Sequence, residues 1–153
     1  MSKKEANALF VEYARTEWAL KKIGYVVPRG DFIQVAWNKV QKEPCVILAI
    51  DDAVGDIADA IELLLKRPPR REHINESGKV ELVPLDLSDS DSKADKVIKC
   101  LKRVRNNLVH GAKFYSGDWH FEQSTDYLKA ALKVLRCLRE SWQDLKQAFE
   151  NGK

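Results

Sequence analysis

Residues 92–111, SKADKVIKCLKRVRNNLVHG, decide the fold class because they hold a helix start, an apolar face and a helix end in one stretch. Ser92 and Asp95 have the spacing of a capping box, in which each side chain bonds the other residue's backbone amide. Gly111 is a residue type that ends helices. We therefore predict a helix over residues 92–110. Its buried face is an apolar series spaced by one, three or four positions: Val97, Ile98, Leu101, Val104, Leu108 and Val109.

The same helical periodicity recurs along the rest of the chain. It predicts further long helices at about residues 5–24, 46–66 and 125–150, and a short one at residues 31–42 capped by Asp31. The loop of residues 67–91 is long for a helical bundle, and Glu76–Lys79 predicts a turn of a small hairpin inside it. The expected fold is an all-α, up-and-down bundle of about five helices, a single domain over residues 1–153.

Composition narrows the class of protein. The chain has 153 residues, of which 44% are hydrophobic, so it is long enough for a core of its own. Three scattered cysteines, Cys45, Cys100 and Cys137, indicate neither a disulfide framework nor a zinc site. We expect no metal and no cofactor. No apolar run reaches membrane-spanning length and no signal peptide is visible, so we expect a cytoplasmic protein without a membrane partner.

One cation stands out on the predicted helix. Arg105 projects from the middle of the apolar face, where a charge is costly unless it meets an anion or a partner chain. Replacing Arg105 by Met is therefore expected to stabilise the fold. Asn106 and His110 share a different face. Because Arg105 and His110 are five residues apart, one ideal helix does not aim both at one atom, whereas two copies related by a two-fold axis can.

These residue types suit the cleavage of RNA without a metal. Histidine, whose reference pKa is near ~6.5, acts as a base or an acid at neutral pH. Arginine holds a phosphate through two nitrogens as negative charge develops, and asparagine orients either group. A plainer interpretation stays open, in which His110 is a polar residue favoured by the dipole at the helix end.

With the wording RNNLVHG inside a helical domain, the Arg105-Asn106-x-x-x-His110 motif resembles the HEPN superfamily. Members of that superfamily are all-α, usually dimeric, and many are metal-independent endoribonucleases in toxin–antitoxin or phage-defence systems. The resemblance implies that Arg105, Asn106 and His110 are the catalytic set of a homodimer acting on RNA. It also implies an antitoxin or a defence complex as a further partner.

Other charged groups allow more than one interpretation. Cations that could contact RNA phosphates lie beside the motif and at the start of the long loop: Lys99, Arg103, Arg67, Arg70 and Arg71. A generic charged loop explains the last three equally well. The carboxylates of residues 51–62 could bind Mg²⁺, but a solvated helix face explains them better. The alternative function is a non-catalytic helical dimer that serves as an RNA-binding or protein-interaction module.

Overall fold

A computed structural model describes residues 3–109 and 121–152 of the chain. Over these residues the backbone forms seven helices and four short strands. None of the described helices is both long enough and apolar enough to cross a membrane. In chain order the elements are α1 (Lys3–Lys22), β1 (Val26–Arg29), β2 (Phe32–Val35), α2 (Trp37–Val40), α3 (Pro44–Asp51), α4 (Gly55–Lys66), β3 (Arg70–Ile74), β4 (Val80–Pro84), α5 (Lys93–Val109), α6 (Phe121–Ser141) and α7 (Gln143–Asn151).

The hydrophobic core lies between the helices. Helix α6 packs along α1 and α4, α5 contacts α3 and α4, and α7 packs on α1. The buried apolar side chains form one cluster, and each large one contributes about 1.5–3 kcal/mol by leaving water. The apolar face predicted for α5 is turned to this core as far as Val104, whereas Leu108 is half-buried and Val109 is exposed. The largest fully buried side chains include Leu9, Leu20, Ile50, Leu64, Ile98, Leu101, Leu135 and Leu145.

The prediction of an all-α, five-helix bundle is wrong. The described part of the chain is mixed, with seven helices and two separate two-stranded antiparallel sheets. Two of the predicted long helices are each divided in two, and the predicted short helix begins as part of a hairpin. Each difference has a local cause.

The first hairpin replaces the first five residues of the helix predicted over residues 31–42. Strands β1 and β2 pair from Val26 with Val35 to Arg29 with Phe32, which leaves a turn of two residues. The first turn residue, Gly30, has a φ of 59°, a value that suits a tight hairpin turn and that side chains disfavour. Aromatic and β-branched residues follow the turn, and they favour a strand. Only α2, four residues long, remains of the predicted helix.

The helix predicted over residues 46–66 is divided into α3 and α4. Gly55 begins α4 with a φ of 59°, which the interior of an α-helix does not accommodate, and the preceding Val54 is extended and 79% exposed. The alternating spacing of three and four continues across the break because Ile50 and Ile61 both reach the same core. Pro44 begins α3, where its missing N–H is not needed, rather than ending the segment before it.

The helix predicted over residues 125–150 is divided at Trp142. The backbone of Trp142 is extended, with φ −125° and ψ 101°, and its buried indole meets the Tyr25 ring edge-on at 4.9 Å. The break turns α7 back onto α1. There Arg15 donates a hydrogen bond of 3.0 Å to the carbonyl oxygen of Phe149.

The small hairpin that the sequence predicts in the loop of residues 67–91 is present, with longer strands than expected. Strands β3 and β4 pair from Arg70 with Pro84 to Ile74 with Val80. At the turn, the Asn75 side chain accepts hydrogen bonds of 3.0 Å from two backbone amides. A side chain of this type closes turns in the same way elsewhere.

Candidate functional site

Helix α5 presents the motif that the sequence analysis singled out. Its start is fixed by the predicted capping box, because the Asp95 amide donates to Ser92 Oγ at 3.1 Å and the Ser92 amide donates to Asp95 Oδ2 at 3.2 Å. Arg105 and Asn106 therefore lie in the last two turns of α5, which ends at Val109. His110, the third predicted catalytic residue, lies outside the described residues.

Arg105 finds its partners within the chain. Its Nε lies 3.9 Å from Glu17 Oε1, and its guanidinium carbon lies 5.8 Å from the centre of the Tyr13 ring. Its Nη1 donates a hydrogen bond of 3.1 Å to Asn106 Oδ1. The side chain is 35% exposed. Arg105 is thus half-buried against the Glu17 carboxylate and the Tyr13 ring, while part of its guanidinium group remains accessible to solvent.

Burial is the largest influence on the pKa values of Glu17 and Tyr13, the two α1 residues beside Arg105. The pKa of the Glu17 carboxyl is raised from its ordinary value by burial, against the weaker opposing effects of Arg105 and Lys21. Burial also raises the pKa of the Tyr13 phenol, as does the negative charge of Glu17, so Tyr13 stays neutral across the physiological range. Glu17 accordingly takes up a proton more readily than an exposed glutamate does.

Sequence reasoning missed Glu17, although a signal for it exists. Glu17 stands four residues after Tyr13 and three before Leu20, both of which are buried on the core face of α1. A carboxylate among buried positions is costly unless a cation lies near it, just as Arg105 on the apolar face of α5 needs an anion. The carboxylate of Glu17 and the guanidinium of Arg105 therefore partner each other.

Arg105 opens onto a groove of about 780 Å³ between α1, the β1–β2 hairpin and α5, which we name the Arg105 groove. Four cations and one carboxylate line it, so that positive charge prevails. One wall is strand β2 with Trp37 and Asn38. The charged residues are Lys21, Arg29, Lys102, Arg105 and Glu17.

A second, smaller cavity of about 260 Å³ lies on the other side of Asn106. It is lined by Glu72, Arg103, Asn106 and Asn107, and Asn106 therefore borders both spaces. The Asn107 amide donates a hydrogen bond of 3.0 Å to the Arg70 carbonyl oxygen, which ties the start of β3 to α5. Within the described residues, Arg103 Nε is buried and has no hydrogen-bond partner.

The structure brings some of the predicted RNA-binding residues to the motif and not others. Arg103 lines the smaller cavity, and Arg70 adjoins it through its backbone. Arg67 holds the Tyr127 hydroxyl through its carbonyl oxygen at 2.5 Å, and Arg71 follows within β3. Lys99 lies instead in an ion pair of 2.5 Å with Asp91, outside the lining of both spaces.

Over residues 3–109 and 121–152, no three His, Cys, Asp or Glu side chains lie close enough together to hold a metal ion. Two of the carboxylates of residues 51–62 take part in surface ion pairs, with Lys133 at 3.9 Å from Asp56 and Lys66 beside Glu62.

Comparison of the chain with protein-family models, with curated proteins and with solved structures gives no match. Its function must therefore be inferred from its own residues. What the described arrangement offers is an arginine that is oriented but still accessible, an asparagine bonded to it, and a cation-rich groove beside both. Arginine side chains in such an environment are suited to contact a phosphate group.

Proposed function

We propose that the chain is a HEPN-like endoribonuclease that cleaves RNA without a metal, at a composite site of Arg105, Asn106 and His110. One observation carries the proposal. The Arg105 guanidinium is bonded to Asn106 and faces a groove in which four cations oppose one carboxylate. A polyanion is the ligand that such a groove favours.

Each motif residue has a role in this reaction. The ribose 2′-hydroxyl attacks the adjacent phosphorus, and His110 accepts its proton. The bond from phosphorus to the 5′-oxygen breaks, and the leaving oxygen takes a proton from an imidazole. The products are a 2′,3′-cyclic phosphate and a 5′-hydroxyl. Arg105 stabilises the charge on the phosphate oxygens, and Asn106 holds Arg105 in place.

A homodimer follows from the five-residue spacing of Arg105 and His110. Each copy supplies a group that the other copy's helix does not aim at the shared phosphate. A toxin or phage-defence effector of this kind requires a further protein that restrains it, and an antitoxin or a defence-complex subunit is the partner that we propose. Light scattering at micromolar concentration is expected to give the mass of two chains, and a monomer would remove the composite site.

The decisive experiment incubates the purified protein with single-stranded RNA in EDTA and analyses the ends of the products. Cleavage with 2′,3′-cyclic or 2′/3′-monophosphate ends is expected from the wild type. His110→Ala should abolish it, and Arg105→Lys should reduce it by about 100-fold or more, because the ammonium keeps the charge but loses the two-nitrogen contact.

Matched controls are available on the same chain. His73 is exposed on the β3–β4 hairpin, and Arg136 lies half-exposed on α6, 3.6 Å from Glu12. His73→Ala and Arg136→Lys should leave cleavage unchanged. Products with 3′-hydroxyl ends, or strict dependence on Mg²⁺, would contradict the proposed chemistry.

The second candidate, a non-catalytic RNA-binding or interaction module, has an observation in its favour. Glu17 and Tyr13 account for Arg105 without any substrate, since they give the cation an anion and an aromatic surface. A dimer that binds RNA but leaves it intact, with or without divalent ions, would favour this module over the enzyme.

A further inference from the structure

The β1–β2 hairpin carries two of the most exposed large apolar side chains in the described part of the protein. Phe32 is 76% exposed and Ile33 is 61% exposed. Both lie in β2, which forms one wall of the Arg105 groove. The hairpin is held to the body of the protein through the buried Val35 at its other end, and through contacts of β2 with α1. An aromatic ring is therefore presented at the groove on a fixed strand and is not used for packing.

Three of the four cations of the groove, all except Arg105, form no ion pair with a carboxylate of the described residues. Within the described residues, Lys21, Arg29 and Lys102 form no ion pair, and only Arg29 has a side-chain hydrogen bond, at 3.4 Å to Gln34. They come from three different elements, α1, β1 and α5. Arg29 pairs in register with Phe32, so a cation and an aromatic ring stand side by side at the tip of the hairpin.

From this arrangement we infer that the Arg105 groove is a binding site for single-stranded RNA, in which Phe32 stacks on a base and Lys21, Arg29 and Lys102 contact phosphates. The inference rests on the proposed function for its ligand class and extends it to residues outside the motif. Proteins that bind single strands combine a positive groove with an exposed aromatic side chain in this way. The bases of a duplex are paired and stacked, and they offer no free face to Phe32.

The groove also gives the strand a path. Asn106 borders both the Arg105 groove and the smaller cavity that contains Arg103 and Asn107. A strand that enters along β2 passes Arg105 and Asn106 before it reaches Arg103. The reacting phosphate therefore lies at Arg105, and Phe32 binds a base on one side of it.

The test measures binding separately from cleavage. A short, unstructured, fluorescein-labelled RNA is titrated into the His110→Ala protein, and anisotropy gives the dissociation constant at several salt concentrations. Phe32→Ser in this background should weaken binding by about 10-fold, whereas Phe32→Trp should retain it because the indole also stacks. Because Phe32 is exposed, its replacement should leave the fold intact, which circular dichroism checks.

The cations are tested by a triple change of Lys21, Arg29 and Lys102 to Gln. Each phosphate contact to a single strand contributes about 0.7 to the slope of log affinity against log salt, so the slope should fall by about 2. The matched controls are Ile74→Ser, which removes an apolar side chain of 67% exposure from the other hairpin, and a charge-matched triple change outside the groove. Its members, all exposed, are Lys42, Lys79 and Lys129, each changed to Gln.

The outcomes separate this inference from the proposed function. If binding depends on Phe32 and the three cations but the protein does not cleave RNA, the groove is an RNA-binding site and the proposed nuclease activity is wrong. If the wild type cleaves RNA and all groove variants bind it as the wild type does, the proposed nuclease activity stands and the assignment of the groove as the RNA-binding site is wrong. Equal losses in Phe32→Ser and Phe32→Trp with an unchanged salt slope would also overturn the inference, since the hairpin would then serve an apolar protein partner or the fold.

Discussion

The pairing of Arg105 with Glu17 reverses the stability effect that the sequence alone predicts for Arg105→Met. The sequence shows no anion beside Arg105, so removal of this cation from an apolar face is expected to stabilise the fold. In the structure, removing it leaves Glu17 as a carboxylate that is only 24% exposed and has lost its nearest cation. We therefore expect Arg105→Met to destabilise the protein at neutral pH, and a double-mutant cycle with Glu17→Gln to reveal the coupling.

The magnitude follows from the geometry. Two unit charges about 4 Å apart attract by roughly 4 kcal/mol at an effective dielectric constant of about 20. Arg105 is 35% exposed and approaches Glu17 through Nε at 3.9 Å, so solvent screening and the desolvation of both groups offset most of this attraction. The net coupling should be about 1 kcal/mol. Arg105→Met should lose about that amount, and the double variant should be close to the wild type.

The pH dependence gives an independent check. Burial raises the pKa of Glu17 above its ordinary 4.5, so the folded protein binds the proton more readily than the unfolded chain does. As pH falls from neutral through that raised pKa, Glu17 becomes neutral and its attraction to Arg105 disappears. The stability difference between Arg105→Met and the wild type should therefore be largest at neutral pH and shrink towards about pH 4.5.

Urea unfolding of the four proteins of the cycle at both pH values measures these quantities. Distant sites add within about 0.3–0.5 kcal/mol, so a smaller coupling at neutral pH would refute the ion pair. So would a coupling that grows on acidification. A stabilised Arg105→Met variant would restore the interpretation that the sequence alone gives.

Three further outcomes are expected. Gly55→Ala should destabilise by about 1–2 kcal/mol in urea unfolding, because Gly55 has a φ of 59°; a gain in stability, as in an unbroken helix, would contradict the division of α3 from α4. Ser92→Ala should lose about 1 kcal/mol by the same measurement, since it removes the cap of α5, and an unchanged stability would leave the cap without effect. Burial raises the pKa of the Cys100 thiol to about 12, so iodoacetamide should label Cys45 and Cys137, as mass spectrometry would show, and spare Cys100 until the protein unfolds.

Features set by neighbouring residues were predictable from the sequence, and features set by distant contacts were not. The capping box of Ser92 and Asp95 forms as expected because both partners lie within one turn. The break at Trp142 depends on Tyr25, more than a hundred residues away, and no local pattern shows it. Gly30 and Gly55 did carry a local signal, since glycine permits positive φ, but helical periodicity on either side concealed it.

The candidate site divides in the same manner. The motif on α5 is contiguous and could be identified, whereas the Arg105 groove brings α5 together with α1, the β1–β2 hairpin and α2, which are distant from α5 in the sequence. Glu17 and Phe32 enter the site only through the packing of α1 and the β1–β2 hairpin beside α5. The predicted catalytic role of His110 remains a prediction, because that residue lies outside the described residues.

The weakness of the Arg105–Glu17 pair is what makes Arg105 suitable for a phosphate. A short contact with Glu17 through two nitrogens would occupy the guanidinium donors that a ligand needs. A single approach of 3.9 Å at Nε leaves the terminal nitrogens available, one of them oriented by Asn106. A hydrogen bond to a charged phosphate contributes about 1.5–3 kcal/mol, more than the coupling expected with Glu17, so a phosphate can compete for Arg105 while Glu17 still fixes its direction. Under the proposed function Glu17 is a positioning residue of the site, and its charge, half-buried on α1, explains why Arg105 is tolerated beside the apolar face of α5 when no ligand is bound.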